Sequence, residues 1–520
     1  MPKVINYFSI SKKIFSPWLP GVLLTIVLAA CAAPSLEERT VAPAPDFARA
    51  PAASGALAEV ADAIQHAHGT HYSGFKILDK SYDALIWRLA LIDSAVSSLD
   101  IQTYLWYPDT TGRLILERVV RAANRGVHVR LIVDDLLTFG EEQLMYELEM
   151  HPNIELRLFN PWTQRDIVSR VGEAVIEMER LNIRMHDKLM IADSQAAIVG
   201  GRNIGDHYYG LSDAYNFHDL DLLGFGPIAK QANEMFDQFW NSEWVTSAGN
   251  LDVEHDETRS KRLWQEIREK NRSSEKLKAI GVEPKDWKNE LAIVSKQLHI
   301  GRSEIIFDTP SDDKIAQNLA AEIYQIMDMA QKELLITNAY IIPNQPAIDF
   351  IRELVDRGVR VRILTNSLAS HDVPAVNSYY EGWRDDILMA GAQLYEMRPD
   401  AAIKKFVDAP NIDSEYIGLH TKALVIDRKK VFIGSMNFDP RSFKINTEAG
   451  ALVESPGLAE ELAQVMVRDM SPENAWQVRL DAENQVYWVS GDEVLRRQPT
   501  RDASQFFMNI IFKMFPEDQY

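Results

Sequence analysis

HDKLMIADSQAAIVGGRN occupies residues 186–203, and HTKALVIDRKKVFIGSMN occupies residues 420–437. The two stretches lie 234 positions apart. In each, Lys follows the leading His by two positions, Asp by seven, Gly by fourteen and Asn by seventeen, with Gly or Ser at fifteen. A second pair repeats at nearly the same offset: RGVHVRLIVDDLLT from Arg125 and RGVRVRILTNSLAS from Arg357. Each copy follows a stretch with apolar residues at helical spacing, TGRLILERVVRAAN and PAIDFIRELVD. Each of those follows a β-rich run, SLDIQTYLWY and ELLITNAYII. Strand, helix and strand in this order imply parallel sheet with crossover helices. The chain therefore reads as one α/β domain written twice.

The leading motif reads as strand, turn, strand in both copies. Residues two apart on a strand share a face, so His186 is expected beside Lys188, and His420 beside Lys422. Asp193 and Asp427 fall at the turns, where Asp commonly bonds its own backbone, and read as structural. A metal fits poorly here. Protonated lysine repels a cation, and no His/Cys/Asp cluster has zinc-like spacing. His beside Lys suits an anion. A phosphodiester needs cationic donors for its oxygens and a nucleophile aligned with the leaving group. One histidine can attack phosphorus, and a second, protonated, can hand a proton to the leaving alcohol. Each motif supplies one histidine; the two copies supply both.

With 520 residues the chain exceeds what one core needs, and its 46% hydrophobic and 25% charged content is ordinary for a globular protein. The net charge of −20 shows no basic footprint for nucleic acid. With Cys31 alone, no intrachain disulfide forms. Lys3, Lys12 and Lys13 precede an uncharged run from Ile14 to Leu36, within which GVLLTIVLAAC ends in small residues. This pattern is an N-terminal export signal, and LAAC resembles a bacterial lipobox, whose cysteine carries lipid. Residues 1–31 are thus expected to be a lipoprotein signal segment and 32–58 an Ala/Pro-rich flexible tether. An uncleaved membrane anchor is the alternative. The expected location is the bacterial cell envelope, membrane-anchored and facing the periplasm. Ala32 after the cysteine prefers the outer membrane. Further expected boundaries are a first domain over 59–250, a charged, helical, solvated connector over 251–305, and a second domain over 306–520.

H-x-K-x4-D followed by G-[GS]-x-N, present twice, resembles the signature of the phospholipase D superfamily. RLFNPW, RLNIRMHDK, VGGRNIGDHYYG, ILTNSLASHDVPAV and NTEAGALVES are most similar to the bacterial cardiolipin synthases, the C type above all. The lipobox and tether depart from that pattern. The resemblance implies two pseudo-symmetric phospholipase D-like α-β-α sandwich domains, with the active site at their interface. It implies that His186 is the nucleophile and His420 the general acid and then base, an order the pseudo-symmetry leaves interchangeable. Lys188, Lys422, Asn203 and Asn437 would hold phosphoryl oxygens. Gly200, Gly201, Gly434 and Ser435 would bring backbone or a small hydroxyl close to the site. Glu448 and Asp219 would orient histidines. The implied reaction passes a phosphatidyl group from one phospholipid to an alcohol. Phosphatidylglycerol as acceptor gives cardiolipin and water gives phosphatidic acid. No metal or organic cofactor is required, and the duplication makes an oligomer unnecessary for the site. Phospholipid substrates and a membrane are the expected partners.

A hydrolase with the same site, a nuclease of the superfamily and an inactive scaffold are the competing readings. His207, His218 and His371 read as structural or pocket-lining. Tyr104, Trp106 and Tyr107, and Tyr379, Tyr380 and Trp383, read as core or as the lining of an acyl or head-group pocket. The C-terminal SQFFMNIIFKMF suits a membrane surface or packing against the fold.

Overall fold

A computed structural model describes residues 45–501 and 505, except 137, 139, 164, 166–169, 171, 174–176, 252–255 and 312–314. Cys31, the export segment and nearly all of the C-terminal apolar run lie outside the described residues. Among the described residues no helix is long and apolar enough to cross a membrane. Residues 162–181 belong to a separate small unit, in which Arg180 pairs with Glu173 and Glu177.

The first sheet contains β1 (Ser73–Leu78), β2 (Ser98–Thr103), β3 (His128–Asp134), β4 (Ile154–Phe159), β5 (Leu189–Ala192), β6 (Ala196–Gly200), β8 (Asp221–Phe225) and β9 (Val245–Ser247). Its order is β1-β8-β6-β5-β2-β3-β4-β9, with β2, β3 and β4 parallel. The second sheet contains β10 (His299–Phe307), β13 (Glu333–Asn338), β14 (Arg360–Asn366), β15 (Gln393–Met397), β17 (Lys422–Ile426), β18 (Lys430–Gly434), β19 (Ala449–Glu454) and β20 (Ala475–Leu480). Its order, β10-β19-β18-β17-β13-β14-β15-β20, repeats the first strand for strand. β20 continues into β21 (Val486–Ser490) and β22 (Glu493–Leu495), and two short strands, β11 (Thr309–Pro310) and β12 (Ile315–Ala316), pair antiparallel. A small parallel pair, β7 (Tyr215–His218) with β16 (Tyr416–Leu419), crosses between the halves.

The helices form where the apolar spacing places them. α1 (Ala56–His68), α2 (Ser81–Ser94) and α3 (Thr110–Asn124) cover the outer face of the first sheet, and α10 (Gln345–Asp356) is the second-half counterpart of α3. The Asp109 side chain caps α3 by accepting from Gly112 N–H, and Asn344 caps α10 by accepting from Ala347 N–H. Gly126 and Gly358 follow the two helices with φ of 96° and 86°, a left-handed exit that a side chain would strain. Helices Pro227–Trp240 and Pro456–Asp469 lie between the two sheets. They share one core with Phe75, Ile132 and Ile191 of the first half and Leu335, Val425 and Val431 of the second. The two sandwiches therefore share their inner helical layer.

Three boundaries differ from the sequence expectation. Residues 45–58 are not tether. Asp46 N–H donates to Asn241 Oδ1, Ala48 N–H to the Asp237 carboxylate and Ala52 N–H to the Asp193 carbonyl, and α1 begins at Ala56. Ala/Pro composition does not reveal that side chains at the end of helix Pro227–Trp240 satisfy this backbone. The charged connector is helical, over Glu257–Ser273, Glu275–Ile280 and Lys288–Val294, but it is not simply solvated. Ile267, Leu277, Ile280, Trp287 and Leu291 are buried in the first-half core. Finally, β10 begins at His299, inside the expected connector. Its first residues pair with β1 and its last with β19, so one strand edges both sheets.

The two motif aspartates anchor each half. Asp193 and Ser194, and Asp427 and Arg428, all have φ between 51° and 57°, and Gln195 N–H and Lys429 N–H close the turns onto the Ala192 and Ile426 carbonyls. These are the primed turns of tight hairpins. Each carboxylate also reaches beyond its own turn. Asp193 accepts from Val96, Ser97 and Ser98 N–H, and Asp427 from Gln331, Lys332 and Glu333 N–H, at the starts of β2 and β13. Each carboxylate thus ties its hairpin to the strand beside it. Asp427→Ala is expected to lower stability by about 1–3 kcal/mol, and Asp427→Asn by less, since it keeps one acceptor oxygen. Urea titration of the variants checks this.

Candidate active site

The motif histidines precede their strands rather than lying in them. His186 N–H donates to the Thr447 carbonyl at 3.0 Å and His420 N–H to the His218 carbonyl at 2.8 Å. The backbone of each histidine is therefore held by the opposite half. Their side chains follow the same rule. His186 Nδ1 lies 2.8 Å from Glu448 Oε2, and His420 Nδ1 lies 2.6 Å from Asp219 Oδ2. Each half supplies the carboxylate that orients the other half's imidazole. With Nδ1–H donated to a carboxylate, Nε2 is the atom left for chemistry at each ring.

Lys188 Nζ donates to the His186 carbonyl and Lys422 Nζ to the His420 carbonyl. All four side chains are buried. Burial, followed by the charges of Lys188 and Lys422, pushes the affinity of both histidines for a proton well below the ordinary value. Burial also draws Lys188 down to about 7 and lowers Lys422. Burial raises Glu448 to about 7, against the pull of Lys188, and raises Asp219. At the His186–Glu448 contact the imidazole is driven toward neutral and the carboxyl toward its proton. Their 2.8 Å separation is that of a hydrogen bond. Every cationic group tends to lose its proton and every carboxylate to gain one. An entering phosphodiester anion reverses the first tendency, because its charge favours protonated lysine and imidazolium.

The glycines and serine act on the site through close packing and through its carboxylates. A Cβ at Gly201 would stand 2.4 Å from Asp219 Oδ1, and one at Gly200 2.2 Å from Asp221 Oδ1. At Gly434 it would meet the Ala449 carbonyl at 2.4 Å. These residues make room for strand pairing and for a carboxylate. Ser435, the counterpart of Gly201, donates its hydroxyl to Glu448 Oε2. Asn203 is largely engaged within the protein, accepting from Leu105 N–H and donating to Tyr208 Oη. Asn437 Oδ1 is buried without a hydrogen-bond partner among the described residues.

Two tyrosines complete the site. Tyr104 meets the His186 ring edge-on at 5.1 Å and lies 5.3 Å from Lys188 Nζ. Tyr340 meets His420 edge-on at 6.5 Å and lies 5.7 Å from Lys422 Nζ. Each ring puts a π face near an ammonium and holds it without competing for the anion. Sequence reasoning left Tyr104 between core and pocket and missed Tyr340. The available signal was a tyrosine late in each β-rich run, though one position apart when SLDIQTYLWY and ELLITNAYII are aligned. Tyr208 and Phe217 also flank His420, at 5.2 and 5.0 Å.

The bystander histidines are accounted for. His218 Nε2 pairs with Asp469 at 2.7 Å. His371 stacks on Tyr340, accepts from Val373 N–H, and is pushed down to about 3 by burial. His207 sits among Tyr107, Tyr208, Tyr215 and Phe217, and burial lowers it to about 4. Trp106, Tyr107 and Trp383 line apolar cavities, whereas Tyr380 is core, bonded to Glu396. One group escaped notice altogether. Asp187 is fully buried next to Thr447, Glu448 and Asp308, and burial raises it well above the ordinary carboxylate range.

Comparison with known proteins agrees with this geometry. Residues 89–240 and 323–470 each match the family described as "Cardiolipin synthase, PLD-like domain". The chain is 33% identical to cardiolipin synthase C of Escherichia coli (strain K12) over 451 residues, covering 84% of this chain and 93% of that one. It is 24% identical over 382 residues to the cardiolipin synthase of Clostridium perfringens (strain 13 / Type A), covering 73% and 66% of the two chains. In fold it is similar to phosphatidylserine synthase from Haemophilus influenzae Rd KW20, with a TM-score of 0.52 at 16% identity, over 79% of this chain and 91% of that one. The paired histidine motifs, their carboxylates exchanged between halves, and the match across both halves establish that this chain belongs to the cardiolipin synthase family of phospholipase D-like enzymes.

Proposed function

We propose that the chain makes cardiolipin from phosphatidylglycerol and a second phospholipid through a phosphatidyl-histidine intermediate. The exchange of carboxylates between the two histidines carries this reading. It leaves two Nε2 atoms available in one buried cluster with two lysines, as an in-line displacement at phosphorus needs. The name of the 33% identical relative supports the substrate class.

In the first step His186 Nε2 attacks the phosphorus of the donor lipid. The bond from phosphorus to the head-group oxygen breaks, and His420 gives that oxygen its Nε2 proton. Lys188 and Lys422 balance charge on the phosphoryl oxygens. In the second step neutral His420 takes the proton of an acceptor hydroxyl. The acceptor oxygen bonds to phosphorus, the phosphorus–nitrogen bond breaks and His186 is restored. Asp219 steadies the imidazolium at His420, and Glu448 holds the tautomer of His186. With phosphatidylglycerol as acceptor the product is cardiolipin. The export signal and Cys31 place the enzyme, in this reading, on the periplasmic side of the bacterial envelope as a lipoprotein, with the outer membrane preferred.

His186→Ala or His420→Ala is expected to cut turnover at least about a thousandfold with an unchanged circular dichroism spectrum. Full activity in either variant would sink the mechanism. Glu448→Gln and Asp219→Asn are expected to lower kcat by about 10²–10⁴-fold with little change in KM, as loss of an orienting carboxylate does. Incubation of the pure protein with phosphatidylglycerol, with and without phosphatidylethanolamine, followed by mass spectrometry, identifies the product. Cardiolipin supports the reading, and phosphatidic acid alone replaces it with a hydrolase. Labelled palmitate should be incorporated into the expressed chain and lost in Cys31→Ser.

A further inference from the structure

The chain leaving each half-site runs directly onto an apolar cavity. In the second half Ile341 and Phe438 form a parallel bridge, and Ile342 N–H donates to the Phe438 carbonyl at 2.7 Å. In the first half Trp106 and Ile204 form the same bridge, and Tyr107 N–H donates to the Ile204 carbonyl at 2.8 Å. Ile341 and Phe438 follow Tyr340 and Asn437 immediately, and Ile204 follows Asn203. Each bridge is thus a covalent extension of residues that surround the lysines and histidines.

Beyond the second-half bridge lies a cavity of about 510 Å³, walled by Ile341, Ile342, Phe350, Ile351, Trp383 and Phe438. Lys444 is the charged residue on its lining, and the rest is almost wholly apolar. Beyond the first-half bridge lies a counterpart of about 230 Å³, lined by Trp106, Leu116, Leu131 and Met145 together with the charged Arg113, Glu141, Glu266 and Lys270. Both cavities run under the first crossover helix of their half, α3 or α10. Clefts lined mainly by apolar side chains are the usual seats of small hydrophobic ligands. Two such spaces at matching places in a duplicated fold are built features.

We propose that each cavity receives an acyl chain of a phospholipid whose phosphate lies at the lysine pair, one lipid per half. The ligand class rests on the phosphatidyl-transfer reading; the cavities and their reach do not. A lipid phosphate beside Lys422 and Asn437 places its glycerol next to Phe438 and Ile341, at the cavity mouth. The largely apolar lining of the second-half cavity offers a hydrocarbon chain dispersion contacts. Each methylene seated there tightens binding by up to about fourfold. A reaction that joins two lipids needs two such places, and the duplication supplies two. The second-half cavity is the roomier seat.

The first test needs no turnover. Phosphatidylglycerol brominated in its acyl chains, presented in mixed micelles, should quench Trp383, so that Trp383→Phe loses that share of the quench. Ala347→Phe, which narrows the same cavity, should weaken the lipid's apparent affinity at least fivefold. Quenching unchanged by both substitutions places the chains elsewhere and overturns the proposal. The kcat/KM ratio for dioleoyl over dihexanoyl substrate should also fall at least tenfold in Ala347→Phe. Equal losses on both substrates overturn the proposal, as expected if the chain's own C-terminal residues fill the space. Intact quenching without cardiolipin formation would defeat the phosphatidyl-transfer reading and leave the acyl seats standing.

Discussion

Each catalytic-type imidazole in this chain is aimed by a carboxylate from the other half. His186 depends on Glu448 and His420 on Asp219, so neither half holds a finished site. Much of the architecture serves this exchange. The parallel pairing of β7 with β16 brings His218 to the backbone of His420, and the bridge between Met185 and Thr447 does the same for His186. The shared strand β10 and the common inner helical layer hold the halves in register. An error of an ångström at these contacts would misalign both Nε2 atoms, and rate depends steeply on such alignment.

Burial makes the site demanding. Two lysines, two histidines and two carboxylates lie where water screens little, and each is driven toward its neutral form. An entering anion would favour protonated lysines, whose ammonium groups already feel the nearby Glu448 and Asp219. The π faces of Tyr104 and Tyr340 keep the ammonium groups in place at little cost to their positive charge.

The halves have diverged in matched pairs. Asp219 is the shorter acid, and its oxygen occupies the space where a side chain at residue 201 would stand, so Gly201 and Asp219 belong together. Glu448 is longer and is steadied by the hydroxyl of Ser435. Exchanging one member of either pair alone leaves a clash or a loosened carboxylate. Asp187 adds a buried acid behind His186, where Thr421 stands in the second half, so the two histidines do not have identical surroundings.

By itself the sequence determined the duplication, the α/β class, the strand–helix–strand units and the two His-x-Lys motifs. All of these are local or periodic. Helical spacing, β-rich runs and a repeat at a near-constant offset survive without any knowledge of distant contacts. Through the family resemblance it also singled out Glu448 and Asp219, the carboxylates that follow the two motifs. It did not reveal which histidine each serves, since the exchange between halves spans more than two hundred residues and follows from how the sheets face each other. Tertiary structure alone decided that Gly201 makes room for a carboxylate, that Asp193 and Asp427 reach the neighbouring strand, and that residues 45–58 are pinned by Asp237 and Asn241. It decided too that the charged connector buries Trp287 and Leu291 in the first-half core. In each case the deciding partner is remote in the chain, and a hydrogen bond or a packing contact has no trace in composition until the fold brings its two ends together.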